Sequence, residues 1–182
     1  MSDHTTKLFI NEFLELMDDH YDGIILDLRG NGGGYLEEAS KFLGHFLPKG
    51  EITVQSEYHA FESMNLKSTG KGELENIPLV VLIDQLTASA GEIIALTLQE
   101  RGVPVVGMPS FGKGTIQTFT ALDDGSSLKY TVGKWFSPQH VNVADTGILP
   151  NFEVKRDKEL YTEKQKDNQL EKAKEVLFTL IN

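Results

Sequence analysis

Two short apolar runs, each followed at once by small residues and then by a helical pattern, constrain the fold of this chain most strongly. The runs are GIILDL at 23–28 and PLVVLID at 78–84. Both are too short for helices and are typical of buried strands. A third short run at 103–106 predicts a further strand. Strands that alternate with helices predict an α/β fold with a mainly parallel sheet and flanking helices.

Weaker patterns complete the predicted order of elements. Apolar residues at helical spacing predict an amphipathic helix over residues 8–17. The other predicted elements are a helix at 35–47, a strand at 51–59, an exposed hairpin or loop at 61–76, a helix through 93–98, a strand pair at 115–122 and 127–135, and a last helix at 170–181. The charged stretch at 155–166 is predicted to be a solvated segment, or else a linker.

Composition excludes several classes of protein. The chain has 182 residues, no cysteine and a formal net charge of −10. That length suits a single globular domain. The lack of cysteine excludes disulfides, thiolate nucleophiles and cysteine-ligated metal sites. The acidic balance argues against nucleic acid or anionic lipid as a partner, and no apolar run has the length of a membrane helix.

The glycine cluster RGNGGG at 29–34 follows the first strand and precedes a helix. This placement superficially resembles a dinucleotide-binding turn, but Tyr35 stands where that motif requires glycine or alanine. Two interpretations stay open. The glycines either permit a tight turn, or they expose backbone amides that form an oxyanion site.

The segment GMPSFGKG at 107–114 nearly matches a phosphate-binding loop. Its eighth position is Gly114, where a hydroxyl is needed to bind magnesium. The residues that follow alternate as in a strand, whereas a phosphate loop opens a helix. An NTPase is therefore disfavoured. Lys113 is either a surface lysine or one buried among small residues, where burial favours the neutral amine and hence a base.

The segment TASAGE at 87–92 places Ser89 at a predicted strand-to-helix junction. Ser89 could simply cap the helix, with Glu92 at the capping-box position. A nucleophilic serine would look the same, because it gains from the same free amides of the helix start. The local pattern does not separate these two interpretations.

A serine nucleophile needs a base, normally a histidine or a neutral lysine. None of the five histidines follows a predicted buried strand, and neither GxSxG nor HExxH occurs. A Ser-His-Asp hydrolase and a zinc enzyme are thus poorly supported. Ser89 and Lys113 remain as a pair, and a Ser-Lys variant of the serine mechanism is chemically sound.

These three segments, in this order, resemble the C-terminal processing or tail-specific serine peptidases. The resemblance runs from about residue 22 to residue 154 and includes KWFSPQ at 134–139 and GILP at 147–150. It implies the crotonase-like (ClpP/crotonase) α/β fold. It also implies that Ser89 is the nucleophile, Lys113 the general base and Gln117 the residue that orients the lysine. On an extended strand Lys113 and Gln117 would point to the same side.

The resemblance further assigns the oxyanion hole to the backbone amides of Ala90, Gly32 and Gly33. Glu100 stands where some members have an acidic residue that assists. The implied reaction is acyl transfer to Ser89 followed by hydrolysis, without cofactor or metal. The substrate would be an exposed or C-terminal polypeptide segment, bound by addition to a sheet edge.

The resemblance also implies a setting. Such peptidases act at the cell envelope, in the periplasm or outside the cell, and they usually carry an export segment and a PDZ domain before the catalytic domain. We therefore expect residues 1–182 to be a catalytic domain that lacks an N-terminal PDZ domain and an export segment. The resemblance is also compatible with assembly of the chain into a homo-oligomer.

This chain departs from the family pattern at two places. The separation of Ser89 and Lys113 is one residue shorter than is usual, and Gly91 replaces a common serine. The alternatives are an inactive crotonase-like binding module and a thioester enzyme of the same fold, for which no coenzyme A phosphate site is evident.

Overall fold

Within residues 21–182, which are the residues that the computed structural model describes, the strands form two four-stranded sheets. The strands of the parallel sheet are, in spatial order, β1 (Ile24–Asp27), β4 (Leu79–Ile83), β5 (Val105–Gly107) and β8 (Phe152–Glu153). Those of the antiparallel sheet are β3 (Met64–Lys67), β2 (Ile52–Tyr58), β7 (Ser127–Phe136) and β6 (Thr115–Ala121). The predicted α/β class is right, but only one of the two sheets is parallel. Strands joined by a short turn, such as β6 and β7, have to pair antiparallel.

The helices are α1 (Leu36–Leu43), α2 (Ala90–Gln99), α3 (Lys158–Lys164) and α4 (Asn168–Ile181). Helix α1 is shorter than the predicted 35–47, because Gly44 packs against the backbone of Gly70. The Gly44 carbonyl accepts the Gly72 N–H at 3.0 Å instead of continuing the helix. The segment at 61–76, predicted as an exposed hairpin or loop, contains β3, which pairs antiparallel with β2. The predicted solvated stretch contains the exposed α3. The helix predicted over residues 8–17 lies outside the described residues.

Burial on both faces of the sheet explains why the sequence of β4 is apolar throughout. All five of its residues are buried, and successive side chains of a strand face opposite sides of the sheet. Leu79, Val81 and Ile83 pack into the larger core with α1 and α2. Val80 and Leu82 pack on the other side against Ala173 and Val176 of α4. A strand covered by helices on both faces needs no polar position.

An ion pair ties the end of β1 to the start of α4. Arg29 Nη1 lies 2.8 Å from Asp167 Oδ2, and Asp167 also accepts the N–H groups of Gln169 and Leu170 as the helix cap. Burial acts to raise the pKa of Asp167, but the hydrogen bonds from the helix start and the Arg29 guanidinium outweigh it, so that the pKa lies below its ordinary value.

We expect this depressed pKa to make the chain less stable in acid. A carboxylate whose pKa is lowered by folding stabilises the folded state at neutral pH. That stabilisation is lost as the pH falls from about 5, above the ordinary aspartate pKa, through the lowered pKa of the folded state. Asp167→Asn keeps a side chain that can cap the helix and removes the ion pair. Urea unfolding at a series of pH values should show that the variant has a lower free energy of unfolding at pH 7 than the original protein. Below pH 5 the free energy of unfolding of the variant should fall less steeply. An unchanged pH dependence in the variant would contradict this assignment.

Candidate active site

Ser89 lies immediately before α2 in an unusual backbone conformation. Its φ is 54° and its ψ is −117°, a combination that costs a residue with a side chain about 1–3 kcal/mol. Its N–H donates to Glu92 Oε2 at 2.8 Å, so Ser89 does stand at the helix cap. The residue is 9% exposed and lines a cleft. The strained turn therefore presents a largely buried serine at the surface of a concave site.

The glycine loop after β1 touches this turn. Gly33 has a φ of +105°, and a Cβ there would lie 2.7 Å from Ser89 Cβ and 2.8 Å from the Ala88 carbonyl oxygen. The same Cβ would be 3.2 Å from the Ala90 nitrogen. Asn31 connects the two segments, since its carbonyl accepts the Ala88 N–H at 2.9 Å. Close approach to the Ser89 turn is thus what requires glycine at position 33.

The loop that carries Lys113 is held on both sides by buried groups. The Lys113 N–H donates to Glu92 Oε2 at 2.9 Å, and its carbonyl accepts the indole N–H of the fully buried Trp135 at 2.7 Å. The carbonyl of Gly114 accepts Asn142 Nδ2 at 2.9 Å. The side chain of Lys113 is half-buried and lines the cleft. The main chain of this lysine is therefore well anchored while its side chain reaches the site.

The cleft has a volume of about 550 Å³ and contains five of the six residues predicted from the sequence: Gly32, Gly33, Ser89, Lys113 and Gln117. The sixth, Ala90, is the first residue of α2 and adjoins Gly33. Lys113 precedes β6, and the pairing of β6 with β7 shifts register between Ile116 and Gln117, so strand alternation alone does not fix which side Lys113 and Gln117 share. Both side chains nevertheless line the cleft.

Several cleft residues have no counterpart among the predicted ones. Tyr35 and Phe119 line the cleft with side chains that are 70% and 66% exposed, and Lys129 lies over the Phe119 ring at 5.4 Å. Isolated aromatic residues on loops and strands carry no local signal that distinguishes a cleft wall from an ordinary surface. The structure thus adds an apolar lining to the predicted polar groups.

The other candidate catalytic residues that the structure describes do not line the cleft. Glu100, at the end of α2, bonds the Ser137 hydroxyl and accepts the Gln139 N–H at 3.1 Å, and it does not line the cleft. Of the histidines within residues 21–182, His45 contacts Glu73 and His140 stacks on Phe136. None of these histidines lines the cleft with Ser89.

Within residues 21–182, no group of three or more side chains of the metal-binding types comes together. None of the helices in this part of the chain is long and apolar enough to cross a bilayer.

Sequence comparison relates the chain to known peptidases. A model of peptidase family S41 matches residues 1–154. The carboxy-terminal processing protease CtpA of Bacillus subtilis (strain 168) is 38% identical over 154 residues, which are 84% of this chain and 33% of that protein. CtpB of the same organism is 36% identical over 156 residues, or 85% of this chain and 32% of that protein. The chain thus spans about a third of the length of these curated relatives.

Structural comparison gives a consistent result. The photosystem II D1 C-terminal processing protease superposes with a TM-score of 0.74 at 30% identity, which covers 85% of this chain and 40% of that one. Mature CPAF complexed with lactacystin superposes with a TM-score of 0.73 at 12% identity, over 94% of this chain and 47% of that one. At 12% identity the likeness to CPAF concerns the fold alone.

Proposed function

Because this chain belongs to peptidase family S41, we propose that it is the catalytic part of a serine endopeptidase that cleaves exposed or C-terminal polypeptide segments. One observation carries the proposal: Ser89, Lys113, Gln117 and the glycine turn line a single cleft. The proposal includes a crotonase-like fold for the two-sheet framework and a location at the cell envelope or outside the cell, both on the family resemblance.

In the proposed mechanism the unprotonated amine of Lys113 accepts the proton of Ser89 Oγ, and Oγ attacks the carbonyl carbon of the scissile peptide bond. The Lys113 ammonium then gives its proton to the leaving amine. Water, activated by the same amine, hydrolyses the acyl-Ser89 ester and restores the serine. Gln117, which lines the cleft with Lys113, would orient the amine through this cycle.

The negative charge that develops on the carbonyl oxygen needs preorganised donors. Ala90 opens α2, and the first N–H groups of a helix have no partner within the helix. The Gly33 N–H donates to Asn31 Oδ1 at 3.0 Å in the free chain. An oxyanion bound by the N–H groups of Ala90 and Gly33 would therefore replace Asn31 Oδ1 as the acceptor of the Gly33 N–H.

Substrate binding by strand addition fits the position of β6. Among the described strands β6 lies at an edge of the antiparallel sheet, and it begins two residues after Lys113. Its Gln117 and Phe119 line the cleft. A peptide paired with this edge would be held by main-chain hydrogen bonds, and Tyr35 and Phe119 would favour apolar substrate side chains near the scissile bond.

A serine-directed phosphonate probe tests the proposal directly. We expect the probe to modify the complete protein at a single serine, identified by mass spectrometry as Ser89, because only an activated hydroxyl reacts readily with such a probe. Denaturation before labelling should abolish the reaction. Labelling at an exposed serine such as Ser126 would contradict the assignment, and no labelling at all would favour the alternative, an inactive crotonase-like binding module.

A further inference from the structure

The carboxylate of Glu92 is fully buried and lies between the two segments that carry the proposed catalytic residues. It accepts four hydrogen bonds, two on each oxygen. Oε2 accepts the N–H groups of Ser89 at 2.8 Å and Lys113 at 2.9 Å. Oε1 accepts the Ser110 hydroxyl and the Gly112 N–H, each at 2.6 Å.

A capping box accounts for only one of these bonds. In that motif the glutamate side chain returns to the N–H of the cap residue, here Ser89. The other three donors lie 18 to 21 residues further along the chain, in the loop that carries Lys113. Ser110 also accepts the Ile148 N–H at 2.7 Å, so the network reaches the GILP segment. Glu92 therefore joins parts of the site that are distant in sequence.

The four donors match the acceptors of a carboxylate. An ionised carboxyl group only accepts hydrogen bonds, whereas an amide or a protonated acid presents a donor on one side. A glutamine at this position would turn its NH2 group either toward Ser89 and Lys113 or toward Ser110 and Gly112, and the backbone N–H groups on that side would lose their acceptor. The negative charge lies in the first turn of α2, where the helix dipole favours it.

We propose that Glu92 is a positioning residue that sets the distance between Ser89 Oγ and Lys113 Nζ. One oxygen, Oε2, holds the backbone N–H of both residues. The Lys113 carbonyl is bound separately by Trp135, so the peptide units on either side of this lysine are fixed. This inference rests on the proposed function, because it takes Ser89 and Lys113 as the reacting pair.

Glu92→Gln tests the inference. We expect kcat for an unstructured protein substrate to fall about 100-fold, the order of loss that follows a displacement of about 1 Å between reacting groups. KM should change little, because Glu92 does not line the cleft. Hydrogen exchange should become at least about tenfold faster at the Gly112 or the Lys113 amide, because these N–H groups bond different oxygens of Glu92 and the NH2 group of the glutamine replaces one of the two acceptors.

Glu38→Gln is the matched control. Glu38 is also buried, on α1, and does not line the cleft. This variant should keep the kcat and the loop exchange of the original protein. A Glu92→Gln protein with undiminished kcat, or with unchanged exchange at both loop amides, would overturn the inference.

The outcomes separate the inference from the proposed function. If Lys113→Ala abolishes cleavage and Glu92→Gln does not slow it, only the role of Glu92 fails. If Ser89→Ala remains active, the proposed function fails, and the exchange data still report whether Glu92 holds the loop. Should Glu92→Gln not fold, Ser110→Ala removes one donor and keeps the carboxylate. We then expect a roughly fivefold lower kcat with faster loop exchange, and no change in either would overturn the inference.

Discussion

Alanine at Ser89 or at Lys113 is expected to lower kcat for peptide-bond cleavage by a factor of about 10⁴ or more, which is the scale of loss when a serine nucleophile or its base is removed. KM and the melting temperature should change little. Lys113 is anchored through its main chain by Glu92 and Trp135, and these contacts survive the loss of its side chain. Initial rates on an unstructured protein substrate, measured with the complete protein, check this prediction.

The double variant makes the test sharper. Residues that act as one catalytic unit are not additive, so Ser89→Ala combined with Lys113→Ala should be no slower than either single variant. Lys134→Ala is the control, because Lys134 is an exposed lysine of β7 that does not line the cleft. A Lys113→Ala protein as active as the Lys134→Ala protein would rule out Lys113 as the base.

Gly33→Ala is expected to lower kcat by a factor of about 100 and to destabilise the fold. The added Cβ would lie 2.7 Å from Ser89 Cβ and 2.8 Å from the Ala88 carbonyl oxygen, so the serine turn or the glycine loop has to move. Displacement of the reacting group by about 1 Å has a cost of this order. The φ of +105° adds backbone strain for any residue with a side chain. Kinetics and thermal melting measure the two effects separately.

Gly30→Ala separates strain from close approach. Gly30 lies in the same loop with a φ of +71°, but a Cβ there would have no atom within 4 Å. We expect this variant to lose some stability, since its backbone is strained by the substitution, and to retain its kcat. Equal losses of kcat in the two variants would mean that contact with Ser89 is not the reason for glycine at position 33.

The tertiary structure changes how two of the sequence motifs are understood. The TASAGE segment predicts a cap, and the structure contains that cap, with the Ser89 N–H on Glu92. The same residue also has a positive φ and adjoins Gly33. Capping and exposure to a cleft are therefore compatible here, which no pattern confined to six residues could reveal. Likewise, the register shift at Gln117 depends on pairing with β7.

The sequence by itself determined the alternation of strands and helices, the wholly apolar β4 and the three segments that meet at the cleft. These properties follow from periodicity, from backbone preferences and from the order of motifs along the chain. Only the tertiary structure decided that half of the strands form a separate antiparallel sheet, that α1 ends against Gly70, and that Glu92 receives three donors from the Lys113 loop. Each of these depends on hydrogen bonds or close packing between segments that are distant in sequence, and such contacts exist only once the chain has folded.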